Sequence, residues 1–122
     1  MIKTFLIIVF TSSLNALFSQ SFFLKANGKF QSRKIAVENT TSNQISIQVQ
    51  YVSSARCACE ETEEFVIMKN ENGEFTYNIY DNPENTIKII FKDNQVYSIK
   101  VHNLEDYQCC SIASGDYFLK PK

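Results

Sequence analysis

Four cysteines are the side chains best suited to chemistry, and they stand in two tight pairs, Cys57-Ala58-Cys59 and Cys109-Cys110. Thiols so placed offer three chemistries: disulfide bridging, metal ligation and redox exchange. A bridge inside Cys109-Cys110 needs a strained ring, and one inside Cys57-Ala58-Cys59 needs a tight local kink. Pairing between the two clusters is therefore preferred among the three connectivities that four cysteines allow. A cross-link closing a loop of roughly 50 residues stabilises by about 4 kcal/mol in the chain-entropy account. Zinc sites usually leave two to four residues between paired cysteines, and neither cluster does, so no metal is expected. The acidic run Glu60, Glu61, Glu63 and Glu64 reads as a solvated loop or strand edge that resists edge-to-edge association, in preference to a cation site. Cys-x-x-Cys in a βαβ context, the usual redox arrangement, is absent. A strained vicinal bridge at Cys109-Cys110 is the one form that would be readily reduced.

His102 is the only histidine, which excludes any site built on two imidazoles. It follows Ser98 and Lys100 on the polar side of its segment and is expected to be exposed. A Cys–His nucleophile using Cys109 or Cys110 is set aside because oxidised sulfur cannot attack. The three glycines and two prolines form no phosphate loop. Asn39-Thr40-Thr41 matches the glycosylation sequon, which carries meaning only in a eukaryotic secretory pathway. No catalytic constellation and no cofactor are expected.

The elements that hold these residues read as strands. Ile45, Ile47, Val49 and Tyr51 alternate with Ser46, Gln48 and Gln50, a period of two that a helix cannot use. The same alternation recurs in 87–92 and 97–102, with Asp93-Asn94 between them as a two-residue hairpin turn. Phe65–Lys69 and Phe75–Tyr80 flank Asn70-Glu71-Asn72-Gly73, a second hairpin signal. Arg33–Glu38 and Tyr117–Lys120 complete seven strands, and Phe22-Phe23-Leu24 suits a first strand or an anchor for the N-terminus. The expectation is an all-β domain, a small antiparallel β-sandwich or small barrel, with no helix longer than a turn. One face of each strand gives the expected core: Ile35, Val37, Ile45, Ile47, Val49, Tyr51, Phe65, Ile67, Phe75, Tyr77, Ile79, Ile87, Ile89, Phe91, Tyr97, Ile99, Val101, Tyr117 and Leu119.

The first residues read as an address. Lys3 precedes the apolar run Phe5–Phe10, a weakly polar stretch leads to Ala16-Leu17-Phe18-Ser19, and no acid appears before Glu38. That order is a signal peptide's, and the run is too short to span a bilayer. The cut is placed after Ser19, so residues 1–19 are signal peptide and 20–122 one β-domain with no membrane span. An exported chain meets an oxidising compartment, which agrees with the disulfide reading of the cysteines.

The whole chain has 12 basic and 13 acidic residues in 122, a formal charge of −1. Loss of Lys3 with the leader makes it −2. Both signs are scattered along the chain, so composition predicts no cationic field for nucleic acid or anionic lipid.

The C-terminal third carries Asp81-Asn82-Pro83, then Tyr97-Ser98-Ile99-Lys100-Val101-His102-Asn103-Leu104, then Ser114-Gly115-Asp116-Tyr117. In this order residues 79–122 resemble the C-terminal sorting domain of type IX secretion cargo, a β-sandwich of exported Bacteroidetes proteins. The match rests on Asn82, Pro83, Asn103, Gly115 and Tyr117. Asp81 stands where that family has its first Pro, and the stretch from Asn103 to Ser111 is shorter. The resemblance implies export and a β fold, with the segment as a sorting signal. Ser114-Gly115 is also similar to a Ser-Gly loop of periplasmic lysozyme inhibitors. Together these readings describe a secreted or periplasmic binding domain without catalytic activity, with a protein or glycan partner. The alternatives are a sorting signal or an inhibitor of a secreted hydrolase such as lysozyme. Tyr80 and Phe118 are candidate exposed contacts.

Overall fold

The structure, a computed structural model, describes residues 20–50, 62–104 and 112–121. Residues 1–19, all four cysteines and Tyr51 lie outside the described residues, as does the side chain of Tyr80. Eight strands follow in chain order: β1 (Gln20–Ala26), β2 (Lys29–Thr40), β3 (Gln44–Gln50), β4 (Thr62–Met68), β5 (Phe75–Asn78), β6 (Thr86–Lys92), β7 (Gln95–His102) and β8 (Gly115–Leu119). A single 3-10 turn, Ile79–Asp81, separates β5 from β6.

The all-β antiparallel expectation holds, with Phe22-Phe23-Leu24 inside the additional strand β1. The strands form one sheet in the order β4-β3-β2-β1-β8-β7-β6-β5. Each strand pairs with its sequence neighbour except across β4 and β5, and the last strand pairs with the first. The result is a nearly closed up-and-down meander whose seam lies between β4 and β5. At the seam, Lys69 bridges Phe75, and the rings of Phe65 and Tyr77 stand 5.3 Å apart. The turn expected at Asn70–Gly73 is present: the Asn70 side-chain oxygen accepts from the backbone N–H of Asn72 and of Glu74. Its two strands splay apart after that one bridge, because closing the barrel turns them onto different neighbours.

Two tight turns carry positive φ at both central residues: Asn27 and Gly28 (+53° and +76°) and Asp93 and Asn94 (+54° and +63°). That geometry matches the right-handed twist of the strands it joins, and Asn, Asp and Gly tolerate it best. Asp93-Asn94 is the expected turn. Asn27-Gly28 carries the same signal and makes the β1–β2 hairpin.

The core is one cluster filled from every strand, with Phe22, Ile35, Ile45, Ile47, Ile67, Ile87 and Ile99 wholly buried. Three expected core residues stand elsewhere: Tyr97 is 48% exposed, Leu119 44% and Phe91 42%. For Tyr97 the cause is a bulge. Ile90 faces Ser98 while Phe91 faces Val96, so Tyr97 is the extra residue on β7 and the alternation slips by one. Val96 takes the inward place at 7% exposure. Phe91 and Leu119 end the inward rows of β6 and β8, where the barrel opens. Core residues outside the expected set are Phe22, Leu24, Val96, Ile112 and Ala113.

The bulge separates two neighbouring residues in stability. Val96→Ser is expected to destabilise by about 2 kcal/mol or more, since it exchanges buried apolar surface for a hydroxyl. Tyr97→Ser is expected to cost under about 1 kcal/mol. Urea titration of both variants checks the register, and the reverse order would restore uninterrupted alternation through residue 97.

Candidate functional site

The two ends of the barrel are built differently. At one end meet the β5–β6 connection, the end of β7 and the entry to β8, which places Asn82, Pro83, Asn103, Gly115 and Tyr117 in one region. Asn103 is 3% exposed: its N–H donates to the Ser114 hydroxyl (2.8 Å) and its side-chain amide donates to the Ile112 carbonyl (3.1 Å). The Ser114 hydroxyl in turn donates to the Asn103 carbonyl at 3.0 Å. Tyr117, buried to 2% exposure, donates its O–H to the Ala113 carbonyl at 2.7 Å. Asn85, a buried residue that spacing does not single out, accepts from the Leu104 N–H at 2.9 Å and from the Ile79 N–H through its backbone at 2.7 Å. Asn82 caps the turn, its side-chain oxygen accepting from the Glu84 N–H, while Pro83 is exposed beside it.

These contacts form a latch. Chain that leaves the sheet carries backbone groups with no ladder partner, and burial requires that each find one. The short amides and hydroxyls of Asn82, Asn85, Asn103 and Ser114 supply partners there. His102 is exposed, as expected, and its Nδ1 donates to the Glu84 carbonyl at 2.6 Å. Gly115 has φ +139°, and a Cβ added there would stand 2.6 Å from Cδ1 of Leu24. Asn103, Gly115 and Tyr117 thus hold β8 in place against β1.

At the other end the barrel opens into a concavity of about 790 Å³, formed by the start of β1, the β2–β3 connection and the β6–β7 hairpin. Its rim is amide and hydroxyl: Gln20, Asn39, Thr40, Thr41, Gln44, Asn94 and Gln95, with Glu38 the one carboxylate. Val37, Val96 and the half-exposed ring of Phe91 supply apolar surface, and Ser46 is buried among the lining. Thr41 shapes the β2–β3 turn, its hydroxyl accepting from the N–H of Asn43 and of Gln44. This mouth can hydrogen-bond a polar ligand in both senses and stack a ring of Phe91 against it. Spacing does not reveal it, since its residues come from three separated stretches.

A third feature lies on the outside of β2, β1, β8 and β7. Phe23 is flanked by Lys34 on one side and Phe118 on the other, and Tyr97 meets Phe118 edge-on at 5.8 Å. Lys120 stands over Phe23, Lys92 over Tyr97 and Lys25 over Phe30, each ammonium 5.2–5.4 Å from the ring centre. An open groove of about 600 Å³ is lined by Phe30, Tyr97 and Phe118, with Lys25, Lys92 and Asp93 beside them and Leu119 where β8 runs out. Among the described residues, 20–50, 95–104 and 112–121 carry six basic side chains against the carboxylates of Glu38 and Asp116. Residues 62–94 carry the reverse, seven carboxylates against three lysines.

No family model, curated protein or solved structure matches this chain.

The latch predicts two graded losses. Gly115→Ala is expected to destabilise by about 2–3 kcal/mol, because the added methyl meets Leu24 in a backbone region that L-residues avoid. Tyr117→Phe is expected to cost about 1–2 kcal/mol by stranding a buried carbonyl. Both are read from denaturant midpoints, and an unchanged midpoint for Gly115→Ala would remove the close approach from the account.

Proposed function

We propose that this chain is an exported, disulfide-stabilised β-domain that acts without catalysis, by binding a polar partner, protein or glycan, at the cell envelope or outside the cell. The observation that carries this reading is the mouth: a ligand-sized concavity whose rim is uncharged amide and hydroxyl, with one ring in reach. Among the described residues such a rim offers many donors and acceptors but only one ionisable side chain, Glu38. That suits recognition better than acid–base or nucleophilic chemistry. Export is supported by the order of residues 1–19, and the bridges by the even count of cysteines in an exported chain.

The cysteines supply the first check. Protein exported by its own cells and purified without reductant is expected to begin at Gln20 and to contain no free thiol, as intact mass and thiol titration report. Four free thiols would overturn the disulfide account. The second check is capture: oxidised mature protein is used to pull down partners from the source's own envelope and culture fluid. The expected outcome is a partner retained by wild type and lost, by about tenfold or more in affinity, with Phe91→Ala/Gln95→Ala at the mouth. Retention by that variant would move the binding site elsewhere.

The resemblance of residues 79–122 to sorting domains supports a second reading, in which the segment directs the chain across the outer membrane. Fractionation of type IX–competent and –deficient cells tests it. Equal recovery of the full chain from both media would end it.

A further inference from the structure

We propose that the aromatic–lysine face over β1, β8 and β7 docks on the surface of an anionic phospholipid bilayer. Composition argues against such a surface, since the charges nearly cancel and both signs are scattered along the chain. Sheet order reverses that conclusion. Strands β2, β1, β8 and β7 are neighbours in the sheet, so basic residues far apart in sequence gather on one side of the barrel. The carboxylate-rich stretch 62–94 supplies β4 and β5, which flank the seam on the far side, and β6 beside them; its end reaches the groove with Lys92 and Asp93, and Asp116 stands between Lys25 and Lys100 on the face itself. A near-neutral protein binds an anionic surface only if its charges separate in this way, with the acidic half turned from the membrane.

The centre of the basic side has the composition of a membrane-interface contact. Phe23 and Phe118 are half-buried cross-strand neighbours, and Tyr97, 48% exposed, packs on Phe118. Scattered exposed apolar residues need no explanation, but a contiguous group along a groove does. Lys25, Lys92 and Lys120 stand over the rings at its margin. Rings that sink to headgroup depth thus place three ammonium groups among the lipid phosphates, the pairing expected of an interfacial anchor. The charge complementarity of the face selects an anionic bilayer in preference to a neutral one.

Mature oxidised protein is sedimented with vesicles of phosphatidylcholine alone and of phosphatidylcholine with phosphatidylglycerol, at low and high salt. Binding is expected only to the anionic vesicles and is expected to weaken with salt. Lys25→Glu/Lys120→Glu is expected to lower the partition by at least about twentyfold. Lys69→Glu/Lys88→Glu makes the same change in net charge on the acidic half and is expected to stay within about threefold of wild type. Lys92→Glu and Tyr97→Ser are independent variants should the first fail to fold, which circular dichroism reports; each is expected to lose at least about threefold. Equal binding to both vesicle types, or equal loss with the two charge-reversal pairs, would overturn the proposal. Capture by an acidic polysaccharide such as polygalacturonate without vesicle binding would overturn it in favour of a glycan.

Discussion

β8 lies between β1 and β7, and its five residues complete hydrogen-bond ladders on both sides. Without it the sheet would open into two halves, each with an unpaired edge and half a core. That one strand joins the two ends of the described chain, and its placement is tightly constrained. Gly115 must approach Leu24 closely, Tyr117 must enter the core, and the chain before it must turn while buried. The latch of Asn103, Ser114 and Ala113 meets these demands with short polar groups and backbone carbonyls. Closing the first strand onto the last is a long-range contact, slow to form and dependent on correct register. A fully hydrogen-bonded buried polar network stands at that point.

The ends of the barrel thus divide their tasks. One end is drawn shut by hydrogen bonds that leave its amides engaged. The other stays open where the inward rows of β6 and β8 run out, and its amides and hydroxyls face the concavity. The same residue types, Asn, Thr and Ser, serve both purposes, and only their surroundings distinguish a latch from a binding rim. The outer face follows a third rule: lysine ammonium groups stand over its aromatic rings, which partly covers them.

Much of this fold was legible. Alternation in β3, β6 and β7 placed Ile45, Ile47, Ile87, Ile89, Ile99 and Val101 inward, and Asp93-Asn94 announced its hairpin. Asn103, Gly115 and Tyr117 stand together at the latch. Asn85 and the mouth were not legible, because Asn85 bonds Leu104 19 residues away and the mouth draws its lining from three separated stretches. Tyr97 shows the limit of alternation itself: the pattern persists through a bulge while the side chain changes face.

By itself the sequence determined an all-β chain, its tight Asn- and Asp-containing turns and most of its inward faces, because a period of two and a positive φ are properties of a few adjacent residues. Tertiary structure alone decided which strand closes the barrel, where the bulge turns Tyr97 outward, which amides latch and which line the mouth, and how the charges of the described residues separate into a mainly basic side and a mainly acidic one. These depend on strand order and closure, which bring together residues that no local window contains.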